Sequence, residues 1–354
     1  MRTLVIEKSA LKNNITVVKE AVGSAYIYAN LSSDAYGAGA VQVAKLLREE
    51  GIGRFAVDDP ATAVALRKAG LVDEEILMLR SLSDKADLET LLDHNVVCSV
   101  GNLEAGVALN ALAASRATVA EAHIQVDCGM GFGGFAAEEP EKIHSIYDSL
   151  QSIAVSGIYT QLRSRSHRGH SITEQLQLFA QTVEELQEAG YETGTVHAAG
   201  SYALLHYDMS HLDAVRAGSV LLGRCRREKN DGLQTVGHGE ASVDAIRWLP
   251  KGHTVGGDRL ITLKRPTRVA ILPVGYQCGF GVSPPVYSLW DALRRLFRNR
   301  RRTVRLNDQK VRVLGAIGGM ETLLDVTELK CAEGDVAVFD IDPLFARGFT
   351  KEYR

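Results

Sequence analysis

Ser32, Ser33 and Asp34, then Asp127 and Cys128, then Gln161, then His197 and Ser201 each stand just behind a short aliphatic run. That is where a parallel α/β sheet delivers its reacting groups, at the carboxyl ends of the strands. These positions supply hydroxyls, carboxylates, a thiol and an imidazole, the groups used for proton transfer and nucleophilic attack. Ser201, Gly218 and Ser219 are small, and the turn Arg216-Ala217-Gly218-Ser219 offers backbone N–H groups of the kind that cradle a phosphate. The same residues also suit an empty structural turn, and both readings stand at this point. The cluster Gly129-Met130-Gly131-Phe132-Gly133-Gly134 follows a strand but lacks the spacing and the acidic partner of a dinucleotide-binding loop. A thiolate beside a cation is nucleophilic, which makes Asp127, Cys128, His197 and Cys278 the candidates for chemistry, although buried cysteines are commonly inert.

The elements that must hold these groups alternate along the first two thirds of the chain. Strands are expected at Ala25 to Leu31, Arg54 to Val57, Ile76 to Leu79, Val96 to Val100, Ala122 to Asp127, Ala154 to Tyr159, Thr193 to His197 and Ser219 to Leu222, with helical periods between them. Asp59 before Pro60, and Ser171 with Glu174, mark two helix starts. A doubly wound sheet has the same rhythm, but eight strands is the number that closes a barrel. The expected fold is therefore a (β/α)8 TIM-like barrel over residues 10–230. A C-terminal, mainly-β domain follows over 231–354, where Gly and Pro punctuate short runs such as Arg268 to Val274, Val311 to Leu314 and Asp335 to Phe339. Residues 1–9 are expected to form a strand associated with the β domain. A basic insertion near 287–305 places Trp290, Leu293, Leu296 and Phe297 at helical spacing among arginines. It reads as a solvated helix and hairpin, with an anion or membrane-surface patch as the sharper alternative.

Bulk properties narrow the function. The net charge of −3 gives no electrostatic case for nucleic acid or an anionic membrane. No apolar run approaches the roughly 20 residues needed to span a bilayer. The start lacks the cationic and apolar segments of a secretory signal, so a cytoplasmic protein is expected. The five cysteines have neither disulfide-framework nor zinc-ligand spacing, and no metal is expected.

The runs Asp34-Ala35-Tyr36-Gly37-Ala38-Gly39, Asp127-Cys128-Gly129-Met130-Gly131, His197-Ala198-Ala199-Gly200-Ser201, Val215-Arg216-Ala217-Gly218 and Val274-Gly275-Tyr276 with Gly279-Phe280 resemble alanine racemase, a fold-type III family that uses pyridoxal phosphate. The order and spacing agree from near Thr3 to Tyr353. The resemblance implies a homodimer in which each site is completed by the partner's β domain. It also implies phosphate contacts at Tyr36, Ser201, Gly218, Ser219 or its neighbour Val220, and Tyr353. Arg216 matches the arginine facing the pyridine nitrogen, and His197 the histidine that supports it.

The reactive end of that pattern differs. The Schiff-base lysine of the family falls on Ser32, and its tyrosine base falls on Gly257. A hydroxyl cannot form the imine, and a glycine has nothing to titrate. Phe132 stands for an arginine that orients cofactor and substrate, Gln161 for a histidine, Gly200 for an asparagine, Cys278 for a polar entrance residue, and Ala316 and Gly319 for an arginine and a methionine. Neither Lys8 nor Lys45 is placed to substitute. The expectation is a racemase-fold protein that does not racemise amino acids and holds pyridoxal phosphate, or another phosphorylated small molecule, non-covalently in an enlarged pocket. The alternatives are an enzyme with lysine-independent chemistry in the same pocket, a racemase acting through an unrecognised residue, and a scaffold that pairs with a true racemase subunit.

Overall fold

The computed structural model describes the chain except for residues 164–170, 226–231, 257–259 and 283–302. Gly257 and nearly all of the basic insertion lie outside the described residues. The chain divides into two compact units, Ala10–Thr235 and Met1–Ser9 with Val236–Arg354.

In the first unit eight strands, Tyr26–Asn30, Arg54–Val57, Glu75–Ser81, Val97–Val100, Ala120–Asp127, Ile153–Thr160, Thr195–Gly200 and Ala214–Ala217, pair in parallel in chain order. The eighth pairs with the first, Ala214 opposite Tyr26, so the sheet closes into a barrel. The helices between them start where local chemistry dictates. Asp59 accepts from the Thr62 N–H ahead of Pro60–Lys68. Ser171 and Glu174 exchange side-chain to backbone hydrogen bonds as a capping box for Ile172–Glu188. Leu176, Phe179, Val183 and Leu186 bury one face of that helix.

The eighth strand lies earlier than the sequence reading places it. Ala214–Ala217 is the strand, whereas Ser219–Leu222 is the turn beyond it. The apolar run at 220–222 imitates a strand, and the charge of Arg216 argues against one. The charge is nevertheless accommodated inside the barrel, because the guanidinium meets hydrogen-bond acceptors there.

The second unit is a nine-stranded sheet in the order Ala245–Leu249, Thr267–Leu272, Thr322–Asp325, Gln309–Leu314, Thr303–Leu306, Val336–Asp340, His238–Ser242, Arg2–Ile6, Thr350–Tyr353. The first strand of the chain runs antiparallel to His238–Ser242 and parallel to Thr350–Tyr353. Leu249, Val255, Leu263, Val269 and Leu314 form one apolar core of this unit.

An ionic network ties the three strands at one end of that sheet. The His238 Nδ1–H donates to the Glu7 carboxylate, His238 Nε2 lies 3.4 Å from Glu240, and Arg354 grips both Glu240 oxygens at 2.6 and 2.9 Å. Arg354 also donates to Glu352 at 3.0 Å. The bond to Glu7 raises the pKa of His238 against the opposing effect of burial. Burial would raise the pKa of Glu7, but hydrogen bonds from His238 and the Gly237 N–H hold it below its ordinary value. A raised histidine stabilises the fold below its unfolded value near 6.5, and that gain is lost as pH rises through the folded value. A depressed carboxylate stabilises above its unfolded value near 4.5, and that gain is lost on acidification. The thermal midpoint should therefore exceed that of a His238→Gln variant most between about pH 4.5 and about pH 6.5. A difference that instead grew steadily above that window would show the pairing to be unimportant.

Candidate ligand site in the barrel

The barrel interior is polar along one line. Arg216, 3% exposed, projects from the eighth strand and donates from Nη1 to His197 Nδ1 at 2.7 Å. Its Nη2 donates to Thr160 O at 2.7 Å, Gln161 Oε1 at 3.0 Å and Ala198 O at 3.2 Å. A guanidinium has no acceptor, so His197 Nδ1 must accept, and its ring proton sits on Nε2. That nitrogen lies 2.9 Å from His123 Nδ1 and donates to it. Burial first, and the nearby Arg54 and Arg216 charges second, lower the pKa of His123 to about 3. Burial and then Arg216 hold His197 well below its ordinary value. Burial lowers Arg216 only to about 10, which leaves it the cation at neutral pH. The His197 ring is stacked between Tyr28, at 5.2 Å, and Tyr159, at 5.0 Å. The glycine at 157 makes room for the His123 ring, since a Cβ there would lie 2.5 Å from it.

At the carboxyl ends of the strands, Arg216 lines a cavity of about 220 Å³ together with Asn30, Tyr36, Gln161, Leu162, Arg163, Gly200, Ser201, Tyr202, Ala203, Ser219 and Cys225. Neither an acidic residue nor a lysine lines it among the described residues. The Gly218 and Val220 N–H groups converge on Ser201 Oγ at 3.0 and 3.3 Å. Tyr36 packs against Gly218, where an added Cβ would clash with its hydroxyl and ring. Burial, then the Asp58 charge, raises the pKa of Tyr36 and keeps it a neutral donor. The structure thus brings together Tyr36, Ser201, Arg216, Gly218, Ser219 and Val220, with His197 behind the arginine.

The loop after the first strand is wound the wrong way. Ser33, Asp34, Ala35 and Tyr36 have φ of +53°, +57°, +53° and +54°, one turn of left-handed helix built from L-residues. Each costs roughly 1–2 kcal/mol relative to the ordinary hand. The turn is held by Asp34 Oδ1, which accepts from the Ala40 N–H at 2.7 Å, and by Asp58, which accepts from the Ser33 N–H at 3.1 Å. Ser32 opens this turn, and its hydroxyl donates to Asn30 Oδ1 at 2.6 Å.

Each of the four residues proposed for lysine-independent chemistry has structural surroundings of its own. The Asp127 carboxylate accepts from the N–H groups of Gly129, Met130 and Gly131 and so shapes the glycine loop. Cys128 is buried, which raises its thiol to about 11 and keeps it protonated. His197 Nδ1 and Nε2 are engaged by Arg216 and His123. Cys278 belongs to the other unit, where its sulfur closes a turn with the Gly275 N–H and carbonyl. Tyr353 ends the last strand of that same unit.

Sequence reasoning missed Asn30, Arg163, Tyr202 and Cys225. Asn30 is the last residue of the first strand, and Tyr202 immediately follows Ser201. Both were available from position alone. Of the five cysteines only Cys225 is half-buried; the others are buried. Its place in the cavity became legible only with the eighth strand moved back to 214–217. Among the described residues no three His, Cys, Asp or Glu side chains gather as a metal site, and no helix is long and apolar enough to cross a membrane.

Comparison with known proteins agrees with this architecture. The alanine racemase N-terminal domain family matches residues 6–225 and the alanine racemase C-terminal domain family matches 236–343. An alanine racemase of Halothermothrix orenii is 31% identical over 329 residues, 92% of this chain and 83% of that protein. The solved alanine racemase of the D-cycloserine producer Streptomyces lavendulae superposes with a TM-score of 0.85 at 20% identity, covering 100% of this chain and 97% of that one. A Bartonella henselae alanine racemase solved with covalently bound pyridoxal phosphate gives 0.82 at 22% identity, covering 100% and 99%.

Proposed function

This chain belongs to the alanine racemase family, and on that premise we propose that its barrel cavity holds pyridoxal phosphate, or a phosphorylated small molecule of similar shape, without a covalent bond, and that it does not racemise amino acids. The observation that carries this reading is at position 32: the hydroxyl found there is turned onto Asn30, and no lysine lines the cavity among the described residues.

The residues present fit the cofactor's non-reacting parts. The convergent Gly218 and Val220 N–H groups, with the Ser201 and Ser219 hydroxyls and Tyr36, suit a phosphate. Arg216 Nε has no hydrogen-bond partner among the described residues, while the other two guanidinium nitrogens are engaged, so one donor is left for a ring nitrogen. The cation at 216 favours an unprotonated ring nitrogen. When bound to an enzyme that condenses with it, this cofactor supplies an electron sink for a carbanion. Here Ser32 cannot condense, and Gly257 supplies no base. Following the family pattern, two copies of the chain pair, and Tyr353 of each contributes to the partner's phosphate site.

Purified protein incubated with pyridoxal phosphate and desalted should retain the chromophore, release it on denaturation, and gain no mass after borohydride reduction. L-alanine, L-serine and L-lysine should keep their optical rotation in its presence. A borohydride-stable adduct on any lysine, or formation of D-alanine, would refute the proposal. Light scattering tests the pairing.

A further inference from the structure

The opposite end of the barrel holds a further cavity of about 470 Å³, bounded by the helix Lys8–Val22, the start of the first strand Tyr26–Asn30 and the loop that enters the second, Arg54–Val57. Lys19, Tyr26, Ile27, Gly51, Ile52 and Arg54 are among the residues that line it. They stand at the amino ends of the strands, away from the carboxyl ends where Arg216 lines its cavity. The amino-terminal face of such a barrel ordinarily serves stability, and charged groups with a purely structural task are expected to find partners within the protein.

Those of this cavity are only partly matched. The Arg54 guanidinium lies over the Tyr26 ring, 3.8 Å from its centroid, and its Nε is 3.3 Å from Glu75 Oε2. Neither terminal nitrogen has a hydrogen-bond partner among the described residues; Nη1 is buried, and Nη2 is not. Lys19 is exposed, and its Nζ donates to the Glu50 carbonyl oxygen, which uses one of the three donors of the ammonium. No carboxylate lines the cavity among the described residues. The acidic side chains of the flanking residues are already engaged: Glu75 by Arg54 and the Tyr28 hydroxyl, Glu74 by Arg48 at 3.4 Å, and Glu50 by Lys12 at 2.7 Å. Two cations thus share a cavity with donors to spare. Its volume exceeds what a single inorganic ion fills, and Tyr26, Ile27 and Ile52 give it an apolar wall.

We infer that this cavity binds a small organic dianion, a dicarboxylate or a phosphate monoester, whose charged groups lie against Lys19 and Arg54 and whose carbon body rests on the apolar wall. The planar guanidinium suits an oxyanion with two oxygens, and the ammonium acts as a point charge beside it. The inference stands apart from whatever occupies the Arg216 cavity.

The test is calorimetric titration of the whole protein with succinate, with glycerol 3-phosphate and with butyrate, which carries one charge. At least one of the two dianions should bind about 10-fold or more tightly than butyrate, and which of them does so identifies the source of the charge. Lys19→Met, at an exposed position, should weaken that binding about 3- to 10-fold and leave the thermal midpoint of the free protein unchanged. Arg54→Lys keeps a cation beside Glu75 but loses the fork, and should weaken it by a similar factor. Wild-type protein that binds neither dianion at millimolar concentration, or binds butyrate equally well, would overturn the inference. Binding that is unchanged in Lys19→Met, or that pyridoxamine 5′-phosphate displaces, would place the anion elsewhere, such as at the Ser201 donors, and would overturn it equally.

Discussion

Arg216→Met is expected to cost about 2–4 kcal/mol of stability and to abolish binding of a phosphorylated pyridine. The guanidinium, itself 3% exposed, satisfies Thr160 O, Ala198 O, Gln161 Oε1 and His197 Nδ1. Methionine fills much of the volume but leaves those acceptors without donors, and an unsatisfied buried acceptor is expensive. Removing the buried charge offsets part of the loss, which keeps the estimate below the sum over those bonds. A second effect is electronic: without a donor at Nδ1, His197 can exchange tautomers, and the bond to His123 loses its direction. Urea unfolding measures the first effect and titration with pyridoxamine phosphate the second. A variant as stable as the wild type would mean that Arg216 is a tolerated charge and not the organiser of this interior.

Ser32→Lys should produce the largest qualitative change. The serine hydroxyl cannot condense with an aldehyde, whereas an amine at the same position can. The variant, incubated with pyridoxal phosphate and reduced with borohydride, should carry about one pyridoxyl group per chain, where the wild type carries none. Racemisation of L-alanine should still be absent, because Gly257 offers no second proton-transfer group. No adduct in the variant would show that position 32 does not face the aldehyde end of the ligand. Restored racemisation would show that some other residue acts as the missing base.

The barrel was legible because its strands are aliphatic runs separated by helical periods, and seven of the eight fall close to their expected places. The eighth was misplaced by a rule that usually holds. A charged residue argues against a buried strand, and Val220-Leu221-Leu222 offers a more apolar candidate. What the sequence does not display is that carbonyls from the sixth and seventh strands converge on position 216 and make the charge tolerable. The left-handed turn at 33–36 was invisible for a different reason. None of its four residues is a glycine, so local preference points elsewhere, and only the surrounding contacts impose the geometry. Tyr36, Ser201 and Arg216 could be found by their place after or within strands. Arg163, three residues past the sixth strand, could not be picked out in this way.

The seam where the barrel closes runs through the ligand cavity. Tyr36, behind the first strand, rests on Gly218, behind the eighth, and those two strands are hydrogen-bonded neighbours. A chain leaving the ribosome must therefore carry one wall of the cavity unfinished until nearly the whole barrel has been synthesised. Any occupant of the finished cavity touches both sides of that join and so acts as its latch, slowing the reopening of the ring.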